Sequence, residues 1–192
     1  MKIIARGASL IGACAILLAA GVAARADDFT GHIGIGPTVG AAVPLRNGDI
    51  TRQNDTGLAL GGWLAYGVNR HWTARASYDN LDLQKGNGRA EFLQVGTAYN
   101  FHPEGHWNPN LHVGVGPAWL HDLGQMGRGT LFGVSGGIGV DRYVTEHVTL
   151  GVNVDWMGVF SQSGYNTDAQ FLRPGVTAGY WFGAHGLRAG GK

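Results

Sequence analysis

The chain has 192 residues, with 14 lysines and arginines against 13 aspartates and glutamates, 34 glycines and one cysteine. That length fits one domain, the balanced charge excludes a nucleic-acid footprint, and one cysteine excludes a disulfide framework. Beyond residue 26 no apolar run reaches the roughly 20 residues of a spanning helix, so a membrane position is open to this chain only as a closed barrel of strands.

Residues 1–26 read as a secretory signal peptide. Lys2 and Arg6 precede an apolar run from Leu10 to Val22, and Ala24-Arg25-Ala26 is a small-x-small cleavage site. The cysteine, Cys14, lies inside this segment. Loss of Lys2, Arg6 and Arg25 takes the basic residues from 14 to 11 and leaves a net charge of about −2. The expected organisation is a leader over 1–26, a barrel over 27–182 and a short periplasmic tail over 183–192.

The first predicted strand is Phe29 to Val43, where Phe29, Ile33, Ile35, Val39 and Val43 alternate with Thr30, His32, Gly34, Gly36 and Thr38. After a polar segment, the second runs from Thr56 to Val68, with Leu58, Leu60, Leu64, Tyr66 and Val68 on one face. A short turn at Asn69-Arg70-His71 leads to the third, Trp72 to about Asp79, and Asn80 to Gly88 reads as a polar loop. The fourth strand, Ala90 to Phe101, ends at the two prolines of His102 to Pro109. The fifth spans Asn110 to Leu120, and His121 to Thr130 reads as another loop.

The sixth and seventh strands carry the plainest signal. Phe132, Val134, Ile138 and Val140 alternate with Gly133, Ser135, Gly137 and Gly139; after a turn, Val148, Leu150, Val152, Val154 and Trp156 alternate with Thr149, Gly151, Asn153 and Asp155. The last strand is Phe171 to Phe182. A greasy face opposite a face of glycine, serine and aspartate suits lipid outside and polar groups inside. The whole is therefore an all-β, eight-stranded, antiparallel, up-and-down transmembrane β-barrel with a polar interior. Connections of roughly 9 to 13 residues follow the odd strands and shorter ones the even strands, which places the long loops outside the cell and both termini in the periplasm.

The inward charges Arg75, Asp79, Asp155 and Arg173 are the candidate interior network. They are expected to neutralise one another inside a barrel too narrow for an open channel, with Arg75 paired to one or more of Asp79, Asp155 and Glu91 because an unpaired buried charge is costly. Glu91 is the lipid-side exception, at a rim. Eight histidines without His-x-His or Cys-x-x-Cys spacing give no metal site, and no cofactor is expected. Gly31-His32-Ile33-Gly34-Ile35-Gly36 imitates a dinucleotide fingerprint but lies in a strand with no helix after it. Ser77, Asp79 and His32 or His112 are the raw material of a hydrolytic triad.

The strand Arg75-Ala76-Ser77-Tyr78 after Asn69-Arg70-His71-Trp72, the run Asn108 to Gly116, and Gly139-Val140-Asp141-Arg142-Tyr143 together resemble the small eight-stranded outer-membrane barrels: the OmpA-like transmembrane domain, OmpX and the opacity-type proteins. The likeness covers nearly all of the chain after the leader. It implies a porin-like structural or interaction protein of the Gram-negative envelope, not an enzyme, with the external loops as contact sites. A small channel for ions or solutes is the alternative and a lipid-modifying enzyme the second; the His-x-Ser pattern of lipid A deacylases is absent. Outer-membrane lipid, lipopolysaccharide and the barrel insertion machinery are the implied partners of a monomer. Barrels of this type end on an aromatic residue with another two positions earlier, and Tyr180 and Phe182 match that assembly signal.

Overall fold

The computed structural model describes residues 30–45, 55–84, 88–123, 130–160 and 169–183. Residues 1–29, 46–54, 85–87, 124–129, 161–168 and 184–192, which hold the expected leader, the first residue of the first predicted strand, parts of the loops and the expected tail, lie outside these. Eight strands form: β1 (Ile33–Pro44), β2 (Asp55–Gly67), β3 (Trp72–Gln84), β4 (Arg89–Asn100), β5 (Trp107–His121), β6 (Thr130–Tyr143), β7 (Val148–Phe160) and β8 (Ala169–Phe182). Each pairs antiparallel with the next, and β1 pairs with β8 to close the barrel. The closing ladder is interrupted at Gly36-Pro37 and at Ala41-Ala42. Pro37 on β1 and Pro174 on β8 have no N–H to donate there.

The alternation read from the sequence is the barrel wall. Ile35, Leu64, Val95, Val113, Ile138 and Val154 stand outward and exposed, Ile138 at 63% and Val95 at 62%, as side chains do where lipid replaces water. Outward aromatics gather near the end that carries the short turns, where Trp72 meets Tyr99 edge-on at 5.0 Å and Tyr180 meets Phe182 at 4.8 Å. At the other end Tyr78, Phe132 and Phe160 are exposed.

The interior departs from the expectation in one respect: its end opposite the short turns is apolar. Leu81, Leu83, Phe92, Leu120, Leu123, Met157, Val159 and Phe171, with several alanines, form one buried cluster there. Phe92 and Phe171 meet edge-on at 6.2 Å across it. Residues 80–84 are thus strand and not loop, and only four positions separate Gln84 from Arg89. The reason is a change of solvent along one strand. Once the strands pass the hydrocarbon they stand in water, so the wall inverts: Asp82, Gln84 and Arg89 face out while Leu81, Leu83 and Phe92 turn in. Glu91, outward in the same belt, lies 2.9 Å from Arg89 and 3.9 Å from His121. Asp122, at φ 52°, takes the left-handed conformation that aspartate tolerates, just before buried Leu123.

Candidate functional site

Two hairpins set up the middle of the barrel in the same way. Asn69 Oδ1 accepts from the N–H of His71 and of Trp72, at 2.9 and 3.0 Å. Thr145 Oγ1 accepts from His147 and Val148, at 3.2 and 3.0 Å. Such side-chain caps fix a turn locally. Each histidine then donates from Nδ1 to a carbonyl of the next hairpin's returning strand, His71 to Asn100 at 2.8 Å and His147 to Trp181 at 3.1 Å. With both turns pinned, the residue eight positions on from each histidine is an inward carboxylate, Asp79 on β3 and Asp155 on β7.

Both carboxylates lean over a glycine of the preceding strand. Asp79 is registered against Gly61 and Asp155 against Gly137. A methyl group on Gly61 would overlap Asp79 Oδ1, and one on Gly137 would overlap both Asp155 Oδ1 and His112 Nε2. The small inward face seen in the sequence is therefore room for a polar layer.

Arg173 on β8 joins the two carboxylates across the barrel. Its Nη1 contacts Asp79 Oδ1, and its Nε and Nη2 donate to Asp155 Oδ2 at 3.1 and 2.6 Å. Asp155 also receives Asn153 Nδ2 on Oδ2 and meets His112 Nε2 through Oδ1. His112 Nδ1 faces Asn110 Oδ1 at 3.3 Å, and Asn110 Nδ2 donates to Asp141 Oδ2 at 2.8 Å. One connected chain thus runs Asp79, Arg173, Asp155, His112, Asn110, Asp141. Nearer the short turns Asn108 donates to Asn100 at 2.9 Å, and Trp63 Nε1 to Thr177 Oγ1 at 2.8 Å.

Of the four charges singled out in the sequence, Asp79, Asp155 and Arg173 meet and Arg75 does not. No ion pair joins Arg75 to a carboxylate among the described residues; its guanidinium lies over the Trp63 ring, 5.4 Å from the centroid. The expected pairing of Arg75 is corrected accordingly. Asp79 and Asp155 are already engaged by Arg173, while Glu91 is outward on β4 with Arg89. The sequence reading missed Asn110, Asp141 and Asn153 as network members, although all three stand on the small faces of their strands.

The contacts of His112 also differ from those of a hydrolytic triad. In a triad one ring nitrogen faces a carboxylate and the other a hydroxyl; here the second faces the Asn110 amide. The described residues enclose internal cavities of about 20 and 50 Å³. Since a water needs about 10–15 Å³, they have room for one and for a few waters. Arg75 and His112 line both cavities and stand between them. The apolar cluster adjoins the smaller cavity at Met157.

A family described as the outer membrane protein beta-barrel domain matches residues 12–182. Neisserial surface protein A has a similar structure, at TM-score 0.63 and 14% identity, over 80% of this chain and 98% of that one. The outer membrane protein OprG of Pseudomonas aeruginosa follows at 0.55 and 15%, over 81% and 97%. The N-terminal β-barrel domain of OprF from the same organism gives 0.54 and 17%, over 80% and 98%. No curated protein matches the chain.

Proposed function

Because the chain belongs to the outer membrane protein β-barrel domain family, we propose that it is a closed structural barrel whose external loops make its contacts, and not a channel. The observation that carries this reading is the apolar cluster from Leu81 to Phe171 over the external end of the interior. Beneath it the Asp79–Arg173–Asp155 bridge crosses the lumen. Ions crossing so narrow a path would have to shed water beside Leu, Met and Phe side chains. Outside the same belt Asp82, Gln84, Arg89 and His121 make a polar rim, with Arg89 paired to Glu91 at 2.9 Å, which supports contacts with polar headgroups.

Purified barrel in planar bilayers is expected to show no conductance steps. Sustained ohmic steps would move the reading to the small channel. Contacts by the loops predict that exchanging residues 46–54 and 161–168 for glycine-serine segments removes the protein's effect on envelope permeability while leaving a folded barrel. Retention of the effect would assign it to the wall.

The assembly signal belongs to the same proposal. Phe182 is registered against Ile33 and packs on Tyr180, so the terminal aromatics lie at the closing seam. Phe182→Ser is expected to cut outer-membrane yield severalfold, and truncation after Gly183 to leave it nearly unchanged, as read by the heat-modifiable band on gels. The reverse ranking would put the signal elsewhere.

A further inference from the structure

We propose that the barrel carries a bound proton as a structural part: His112 is an imidazolium that donates through both ring nitrogens. The argument starts at Asp141, whose carboxylate accepts Asn110 Nδ2 at 2.8 Å. An ionised carboxylate only accepts, so the amide must turn its NH₂ toward Asp141 and its oxygen toward His112. That oxygen lies 3.3 Å from Nδ1. On the other side Nε2 faces Oδ1 of Asp155, whose Oδ2 already receives Arg173 and Asn153. Both ring nitrogens thus meet acceptors. A neutral imidazole has one hydrogen and would leave one of these contacts acceptor to acceptor.

The charges agree with the hydrogen bonds. In the lumen below the apolar cluster the described residues place Arg75 and Arg173 against Asp79, Asp141 and Asp155, while the buried Arg142 turns to the exposed Trp107 ring and lines neither cavity. A protonated His112 makes three positive and three negative charges. The groups facing the ring are Asn110 on its own strand, Gly137 and Asp141 on β6, Asn153 and Asp155 on β7, Arg173 on β8 and Arg75 on β3. The proton also ties β5 to β7 across β6.

Nitrogen-15 spectra of histidine-labelled barrel refolded in detergent micelles, with His112→Gln used to assign the signal, test this directly. At neutral pH both ring nitrogens of His112 are expected to carry hydrogens. A single protonated nitrogen would overturn the proposal. In Asp141→Asn the side chain can donate to Asn110, the amide is free to turn, and His112 is expected to become neutral; an unchanged imidazolium would show that Asp141 does not set its state. Removing the proton in alkaline medium is expected to lower the urea midpoint of the native barrel and not that of His112→Gln. Parallel loss in both would assign the effect to other groups and sink the structural role.

Discussion

Arg173→Leu is expected to lower the unfolding free energy by about 3–5 kcal/mol, the usual loss when one partner of a buried pair is removed. The side chain is 4% exposed and serves two carboxylates from opposite sides of the barrel. Its loss leaves Asp79 and Asp155 buried without their shared cation. Arg75→Leu is the control: it removes a guanidinium held over Trp63, a contact worth about 0.5–2 kcal/mol. Urea unfolding in lipid vesicles reads both. Adding Asp79→Asn to Arg173→Leu should restore part of the loss, because it removes the carboxylate left without an ion-pair partner while Asp155 keeps His112. Equal effects of the two arginine changes would refute the cross-barrel bridge.

Phe171→Ala is expected to cost a similar 3–5 kcal/mol, the range for emptying a buried aromatic site. Phe171 has no exposed surface and faces Phe92 edge-on. Phe92→Ala should behave alike, and a double-mutant cycle should return a coupling of about 0.5–1.5 kcal/mol for the ring pair. Conductance should stay absent in either single variant, since the Arg173 bridge still crosses the lumen below. A loss under 1 kcal/mol would mean that the external cluster is loosely packed and does not act as a plug.

The division between what could be read in advance and what could not follows from the solvents the chain meets. Where lipid lies outside, the alternation of Val134, Ile138, Val152 and Val154 with Gly137, Gly139, Asn153 and Asp155 leaves one arrangement, because only one face tolerates hydrocarbon. Strand number, pairing order and the inward facing of Arg75, Asp79, Asp155 and Arg173 follow from that period alone. Leu81 and Leu83 were harder. They keep the parity of Asp79 but reverse its polarity, which looks like a broken strand unless the strand is known to leave the membrane. The reversal was present in Tyr78, Asn80 and Asp82 against Asp79, Leu81 and Leu83.

Partner choice inside the barrel was beyond the sequence for a different reason. A period of two says which side chains point inward, but not how far each strand is sheared against one eight positions or a hundred positions away. Asp79 and Arg173 meet only because the closed sheet brings β3 and β8 to the same depth, and Arg75, two residues from Asp79, is left to Trp63 by that same geometry. The sequence by itself therefore determined the barrel, its lipid face and its inward charges, since these depend on local alternation against a uniform solvent. The apolar plug, the Arg173 bridge and the His112 chain were decided only by the tertiary structure, where register sets Asp155 beside Arg173 on β7 and β8 and closure brings Asp79 of β3 to them across the lumen.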